Sequence, residues 1–190
     1  MNAAQKRRLL RALFLLLVLA LTGLGAYRIP TTQQYIREIG TYSVLEFDDG
    51  DTIVVDMNGV PEKVRFIGVD TPETKDPRKA VQCYGAEASE FTKQRIGTQP
   101  VRLESDPTNT NRDRYNRLLR YVYLPDGTLM NAELIRQGYG FAYTSFPFEK
   151  KSDFVLYQDQ AMQTHAGLWG ACQPVLNEYG GYTSNDVPAT

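Results

Sequence analysis

The sequence predicts an α+β fold: a five-stranded Greek-key barrel with about three helices, preceded by an N-terminal hydrophobic signal or anchor helix. Three observations lead there. Two turn signals, Asp49-Gly50 and Asn58-Gly59, divide residues 42–69 into three short β-rich runs. A helix-like run closed by glycine then separates these from two further β-rich runs, which is not the strict strand–helix alternation of a parallel α/β sheet. A basic cluster followed by an unbroken apolar run occupies the extreme N-terminus.

Taken in order, Lys6, Arg7, Arg8 and Arg11 precede an apolar run over residues 12–26. The run falls short of the roughly 20 residues of a spanning helix, although residues 9–27 nearly reach that length. Residues 1–27 are therefore either a cleaved signal peptide, with a small-x-small site at Gly23-Leu24-Gly25, or an uncleaved membrane anchor. In both cases the positive flank stays in the cytoplasm and the domain is expected outside it, secreted or held at the membrane. Residues 28–40 read as a tether and 41–172 as the folded domain. Residues 173–190 are polar, contain Gly180-Gly181, and read as a disordered tail.

Within the domain, residues 42–47, 52–57 and 62–69 are expected to form an antiparallel meander. A two-residue loop at Asn58-Gly59 pairs positions summing to 117, which sets Asp51 opposite Phe66 and beside Arg65. Residues 86–96 form a helix ended by Gly97. Residues 101–104 and 118–124 are strands separated by a polar loop over 105–116. A short helix at 131–137 stops at Gly138, and a longer one at 149–165 stops at Gly167. A three-strand meander with a helix before the fourth strand is the order of an OB-fold.

Composition removes several chemistries. His165 is the single histidine of 190 residues, which excludes two-histidine acid–base catalysis and histidine-rich zinc sites. Outside the first 26 residues, 17 basic side chains face 22 acidic ones, so diffuse positive charge does not explain any nucleic-acid binding. Carboxylates without histidine or several cysteines favour a hard cation such as Ca²⁺ or Mg²⁺. The two cysteines, Cys83 and Cys172, belong to a domain expected in an oxidising space and are predicted to pair.

Asp51 beside Arg65, followed by Asp70 and Glu73 about a proline turn, brings carboxylates and a guanidinium to one end of the barrel. Such a cluster suits a cation. The motifs DGDT at 49–52, VRFIGVDTPET at 64–74, CYGAEAS at 83–89, DRYNR at 113–117 and GLW at 167–169 resemble the staphylococcal nuclease (thermonuclease) family from about residue 42 to 169. The resemblance implies Ca²⁺ as cofactor, with Asp51, Asp70 and the carbonyl of Thr71 as ligands and Asp49 in the outer shell. It places the catalytic carboxylate at Glu73, the phosphate-binding arginines at Arg65 and Arg117, and the substrate tyrosines at Tyr115 and Tyr143. The implied activity is Ca²⁺-dependent endonuclease cleavage of DNA and RNA with little sequence specificity, leaving 3′-phosphate ends. The enzyme is expected to be a monomer without an obligate protein partner, meeting the membrane through its N-terminal segment if that is uncleaved.

Two departures bear on this. The family pattern Tyr-Gly-Arg reads Tyr115-Asn116-Arg117, and Asn is the best substitute for Gly at positive φ. A strict period of two puts Arg65 and Asp70 on opposite strand faces, so the strand must bulge or twist near Gly68. The alternatives are a catalytically inactive, membrane-tethered OB module binding nucleic acid or protein, and an enzyme acting on a different phosphodiester.

Overall fold

Alternation sets the first sheet. In the computed structural model, which describes residues 5–6, 40–75, 80–178 and 180–187, β1 (Val44–Asp49), β2 (Thr52–Met57) and β3 (Val60–Phe66) form the expected meander. Ile53 and Val55 of β2 and Val64 and Phe66 of β3 are buried, the period of two that a half-buried strand requires. Asn58 and Gly59 have φ of 58° and 85°, the paired left-handed geometry of a tight hairpin turn. The register Thr52↔Arg65 through Met57↔Val60 is the one predicted. Asp51 lies in the β1–β2 turn rather than in a strand, yet Phe66 N–H donates to its carbonyl at 2.9 Å, so it does sit opposite Phe66.

The predicted third strand stops early. It breaks at Ile67 and Gly68 and resumes as β4 (Val69–Asp70). Gly68 has φ +73°, and an added Cβ would stand 2.6 Å from the Phe148 ring, so the break requires glycine. This is the bulge that the positions of Arg65 and Asp70 demand.

Helix α1 (Gly85–Ile96) buries Ala88, Thr92 and Ile96 and ends at Gly97. Strands β5 (Arg102–Glu104) and β6 (Leu118–Tyr123) complete a sheet of order β1-β2-β3-β6-β5, parallel between β3 and β6 and antiparallel elsewhere. Tyr42 and Val101 exchange two backbone hydrogen bonds of 2.8 and 2.9 Å, which joins the two edges and closes the barrel. Helices α2 (Met130–Arg136), α3 (Lys151–Gln163) and the one-turn α4 (Leu168–Ala171) follow. The α3 helix is two residues shorter at each end than expected. Strand β7 (Phe141–Ala142) pairs with β4; neither two-residue strand is long enough to carry a period.

The C-terminal segment corrects the expectation of a disordered tail. Its described part contains a hairpin of β8 (Val175–Leu176) and β9 (Tyr182–Thr183). Its polar composition hides the backbone pairing that orders it: Cys83 N–H donates to Asn185 O, and Val187 N–H to Val81 O, each at 2.8 Å. Tyr182 packs against Phe141 and Trp169. The predicted disulfide joins Cys83 to Cys172 at the start of this segment. The expected signal or anchor and the tether lie outside the described residues except for Gln5, Lys6 and Gly40; the fold above belongs to the unit Ile36–Thr190. Among the described residues no helix is long and apolar enough to cross a membrane.

Candidate active site

Close approach at Gly50 builds one wall of the site. A Cβ there would stand 2.9 Å from Thr71 Oγ1 and 3.0 Å from Ala88, so only glycine lets the β1–β2 turn press against Thr71 and α1. Thr92 of α1 donates its hydroxyl to the Gly50 carbonyl at 2.5 Å. Seated this way, Asp51 is buried: its Oδ2 accepts the Thr71 N–H at 2.8 Å and hydroxyl at 3.1 Å, and its Oδ1 accepts the Thr52 hydroxyl at 2.9 Å.

Arg65 reaches the same group from β3. Its Nη2 lies 2.7 Å from Asp70 Oδ1 and 3.1 Å from Asp51 Oδ2, and its Nη1 donates to the carbonyls of Phe66 at 3.0 Å and Val69 at 2.6 Å. Four oxygens on two sides hold the guanidinium plane. Burial opposes its charge, but Asp51, Asp70 and Asp49 outweigh burial and hold its pKa above the ordinary value. Asp49 accepts Gly50 N–H at 2.9 Å and the Thr74 hydroxyl at 3.1 Å. Burial, then the neighbouring Asp51 charge, pushes its carboxyl up to about 6 against those bonds. Glu73 Oε1 accepts the N–H groups of Thr74 at 3.0 Å and Lys75 at 2.9 Å, which seats the acid in its own turn.

Opposite stands the loop before β6. Asn116 has φ 65°, so the left-handed conformation is kept where the family motif has glycine. Asp113 organises this loop: its carboxylate accepts the N–H of Tyr115 and of Arg117, each at 2.9 Å, and the Arg117 Nε at 2.7 Å. Arg112 ties the loop to β3 through Glu62, with Nη–Oε distances of 2.9 and 3.0 Å, and donates to the Asn116 carbonyl at 2.8 Å. Tyr115 is 63% exposed, with the guanidinium carbons of Arg114 and Arg117 4.7 and 5.4 Å from its ring centroid.

Asp49, Asp51, Arg65, Asp70, Thr71, Glu73, Tyr115 and Arg117 thus line one open cleft of about 1090 Å³. Tyr143 lines a small neighbouring crevice together with Asp70 and Tyr182. Asp113, which the sequence leaves as a solvent-facing or loop-stabilising charge, does stabilise its loop, while sequence reasoning missed Gln82, whose side chain accepts the Glu73 N–H at 2.9 Å. The DRYNR motif contained the signal for the first, since Asx side chains bond to backbone a few residues on. Nothing local marks the second.

The donor set can be tested against a cation. Asp51 and Asp70 share one guanidinium and Thr71 lies between them and the Glu73 turn, so the oxygens are hard and negatively charged, as Ca²⁺ prefers. Among the described residues no three Asp, Glu, His or Cys side chains converge closely enough to hold an ion alone. A cation here therefore needs a backbone carbonyl and water to complete its shell, which Ca²⁺ accepts and zinc does not favour.

The family profile described as "Staphylococcal nuclease homologue" matches residues 63–171. The chain belongs to the staphylococcal nuclease family. It is 42% identical over 130 residues to "Thermonuclease" of Staphylococcus hyicus, covering 68% of this chain and 75% of that protein. It is 41% identical over 130 residues to "Thermonuclease" of Staphylococcus intermedius, covering 68% and 76%, and 40% identical over 131 residues to "Endonuclease YncB" of Bacillus subtilis, covering 68% and 61%. Membership of the staphylococcal nuclease family carries the OB-fold with it, in agreement with the closed five-stranded sheet. The region matched to the family contains Arg65, Asp70, Thr71, Glu73 and Arg117; the hairpin of β8 and β9 lies beyond it.

Proposed function

We propose that this protein is a Ca²⁺-dependent endonuclease that hydrolyses phosphodiester bonds of DNA and RNA with little sequence specificity and leaves 3′-phosphate ends. One observation carries the reading: in a member of the staphylococcal nuclease family, four carboxylates of the expected site and two arginines from separate loops and strands line a single open cleft. Asp51, Asp70 and the Thr71 carbonyl would hold Ca²⁺, with Asp49 behind them. When bound, the cation supplies positive charge opposite the phosphate oxygens.

The chain's own residues account for the rest. Glu73, its carboxyl steadied by two backbone N–H groups, accepts hydrogen bonds from a water and orients it for attack on phosphorus. Arg65 and Arg117 donate to the equatorial oxygens, where negative charge grows, each contributing about 3 kcal/mol to the barrier reduction. Tyr115 offers a nucleotide an exposed ring flanked by two guanidiniums, which favours single strands or frayed duplex; Tyr143 is a second contact beyond Asp70. The protein acts outside the cytoplasm, as a monomer, secreted or held at the membrane by residues 1–27. The Cys83–Cys172 bridge supports an oxidising compartment.

The test is digestion of single-stranded DNA by the purified protein, with Ca²⁺ and with a chelator, followed by end-group analysis. Calcium-dependent cleavage to 3′-phosphate ends is expected. Binding without cleavage would replace the nuclease with a non-catalytic module, and 5′-phosphate ends would reverse the assigned direction of attack.

A further inference from the structure

Gln82 stands between the Glu73 turn and the C-terminal hairpin. Its Oε1 accepts Glu73 N–H and its own N–H donates to the Glu73 carbonyl, both at 2.9 Å. At the other amide atom, Nε2 donates to Thr183 Oγ1 of β9 at 3.1 Å. Cys83, the next residue, donates its N–H to Asn185 O at 2.8 Å, accepts the hydroxyl of buried Ser184 at 2.9 Å, and is bonded through sulfur to Cys172. Residues 81–83 are therefore gripped by the Glu73 turn on one side and by the hairpin on the other. The hairpin lies beyond the residues matched to the family, which end at 171.

We propose that the C-terminal hairpin, held by the Cys83–Cys172 disulfide, positions Glu73 through Gln82. The proposal rests on the reading of Glu73 as the carboxylate that orients water, and it gives residues 173–187 a role in that step. Geometry of that kind must hold to about 0.5 Å. The bonds from Thr74 and Lys75 fix the Glu73 carboxyl to its own turn, and the Thr74 hydroxyl ties the residue after Glu73 to Asp49 at 3.1 Å. Gln82 attaches Glu73 itself, at both its N–H and its carbonyl, and an amide anchored at one end only is free to change rotamer. Thr183 anchors its far end, and the disulfide keeps Thr183 there by tying the start of the segment to the neighbour of Gln82. Gln82 and Thr183 are positioning residues: they reach the reaction only through Glu73.

Full-chain Thr183→Ala, Thr183→Ser and the double variant Cys83→Ser/Cys172→Ser would be compared with wild type by two readouts. The first is hydrogen exchange of the Glu73 backbone amide relative to the amides of β2; the second is steady-state cleavage of single-stranded DNA with Ca²⁺. In Thr183→Ala and the double variant, Glu73 exchange should quicken about tenfold while β2 is unaffected. For the same two proteins kcat should fall about tenfold, with KM within about twofold. Thr183→Ser keeps the hydroxyl and should restore both. Unchanged Glu73 protection, or a raised KM at unchanged kcat, overturns the proposal. Exchange does not need activity: a wild type that cuts nothing would remove the nuclease reading, while Glu73 protection would still decide whether the hairpin holds it.

Discussion

Replacing Asp113 with alanine should release Arg117 from its loop. The carboxylate accepts two backbone N–H bonds and the Nε of Arg117, and Arg117 Nη2 also lies 2.7 Å away. Neutral bonds contribute about 1 kcal/mol each and a charge-assisted pair about 1.5 to 3 kcal/mol. With the Asp113 and Arg117 side chains 17% and 27% exposed, water replaces part of what is lost, and about 2 to 3 kcal/mol of stability should disappear. Loss of one well-aimed donor to the phosphate should lower kcat up to about a hundredfold. Urea unfolding at neutral pH and cleavage kinetics on single-stranded DNA read the two effects separately. The acid limb gives a third reading. Burial opposes ionisation of Asp113, but the bonds from Arg117 and Tyr115 outweigh it and hold the carboxyl below its ordinary value. Its contribution is therefore present above the unfolded-state pKa and lost as pH falls through the lower folded-state value, so wild type and variant should converge in strong acid. Equal urea midpoints and equal kcat/KM would refute the role given to Asp113.

Three further outcomes are expected. Gly68→Ala, at φ +73° with a Cβ 2.6 Å from the Phe148 ring, should cost about 3 kcal/mol and lower the midpoint of thermal unfolding; an unchanged midpoint would show that the rings simply move aside. Asn116→Gly should keep stability and kcat, whereas Asn116→Val, β-branched at φ 65°, should cost about 1 to 3 kcal/mol and most of the activity; equal behaviour of the two would mean the turn tolerates another conformation. Tyr121→Phe removes the hydroxyl donated at 2.5 Å to buried Asp106 and should cost about 2 kcal/mol in urea unfolding, with no change in KM.

Much of the site is legible in the sequence. Asn58-Gly59 determined the hairpin register, and the register placed Asp51 opposite Phe66 and Thr52 opposite Arg65. Counting side-chain faces along the third strand required a break at Gly68, and the break is there. The order of the described residues between 173 and 187 does not show in their composition, because composition measures what a segment can bury by itself. This segment is ordered instead by backbone bonds to residues 81–83 and by rings on Phe141 and Trp169.

By itself, then, the sequence determined whatever rests on short-range physics: turn chemistry, strand period, glycine helix ends and the order of motifs. The tertiary structure alone decided that Arg65 is shared between Asp51 and Asp70, that β4 finds β7, that Tyr143 lines a crevice with Tyr182, and that Gln82 links Glu73 to Thr183. Contacts between residues as far apart as 82 and 183 leave no period or spacing in the chain, because they are chosen by closing the barrel and not by neighbours along it.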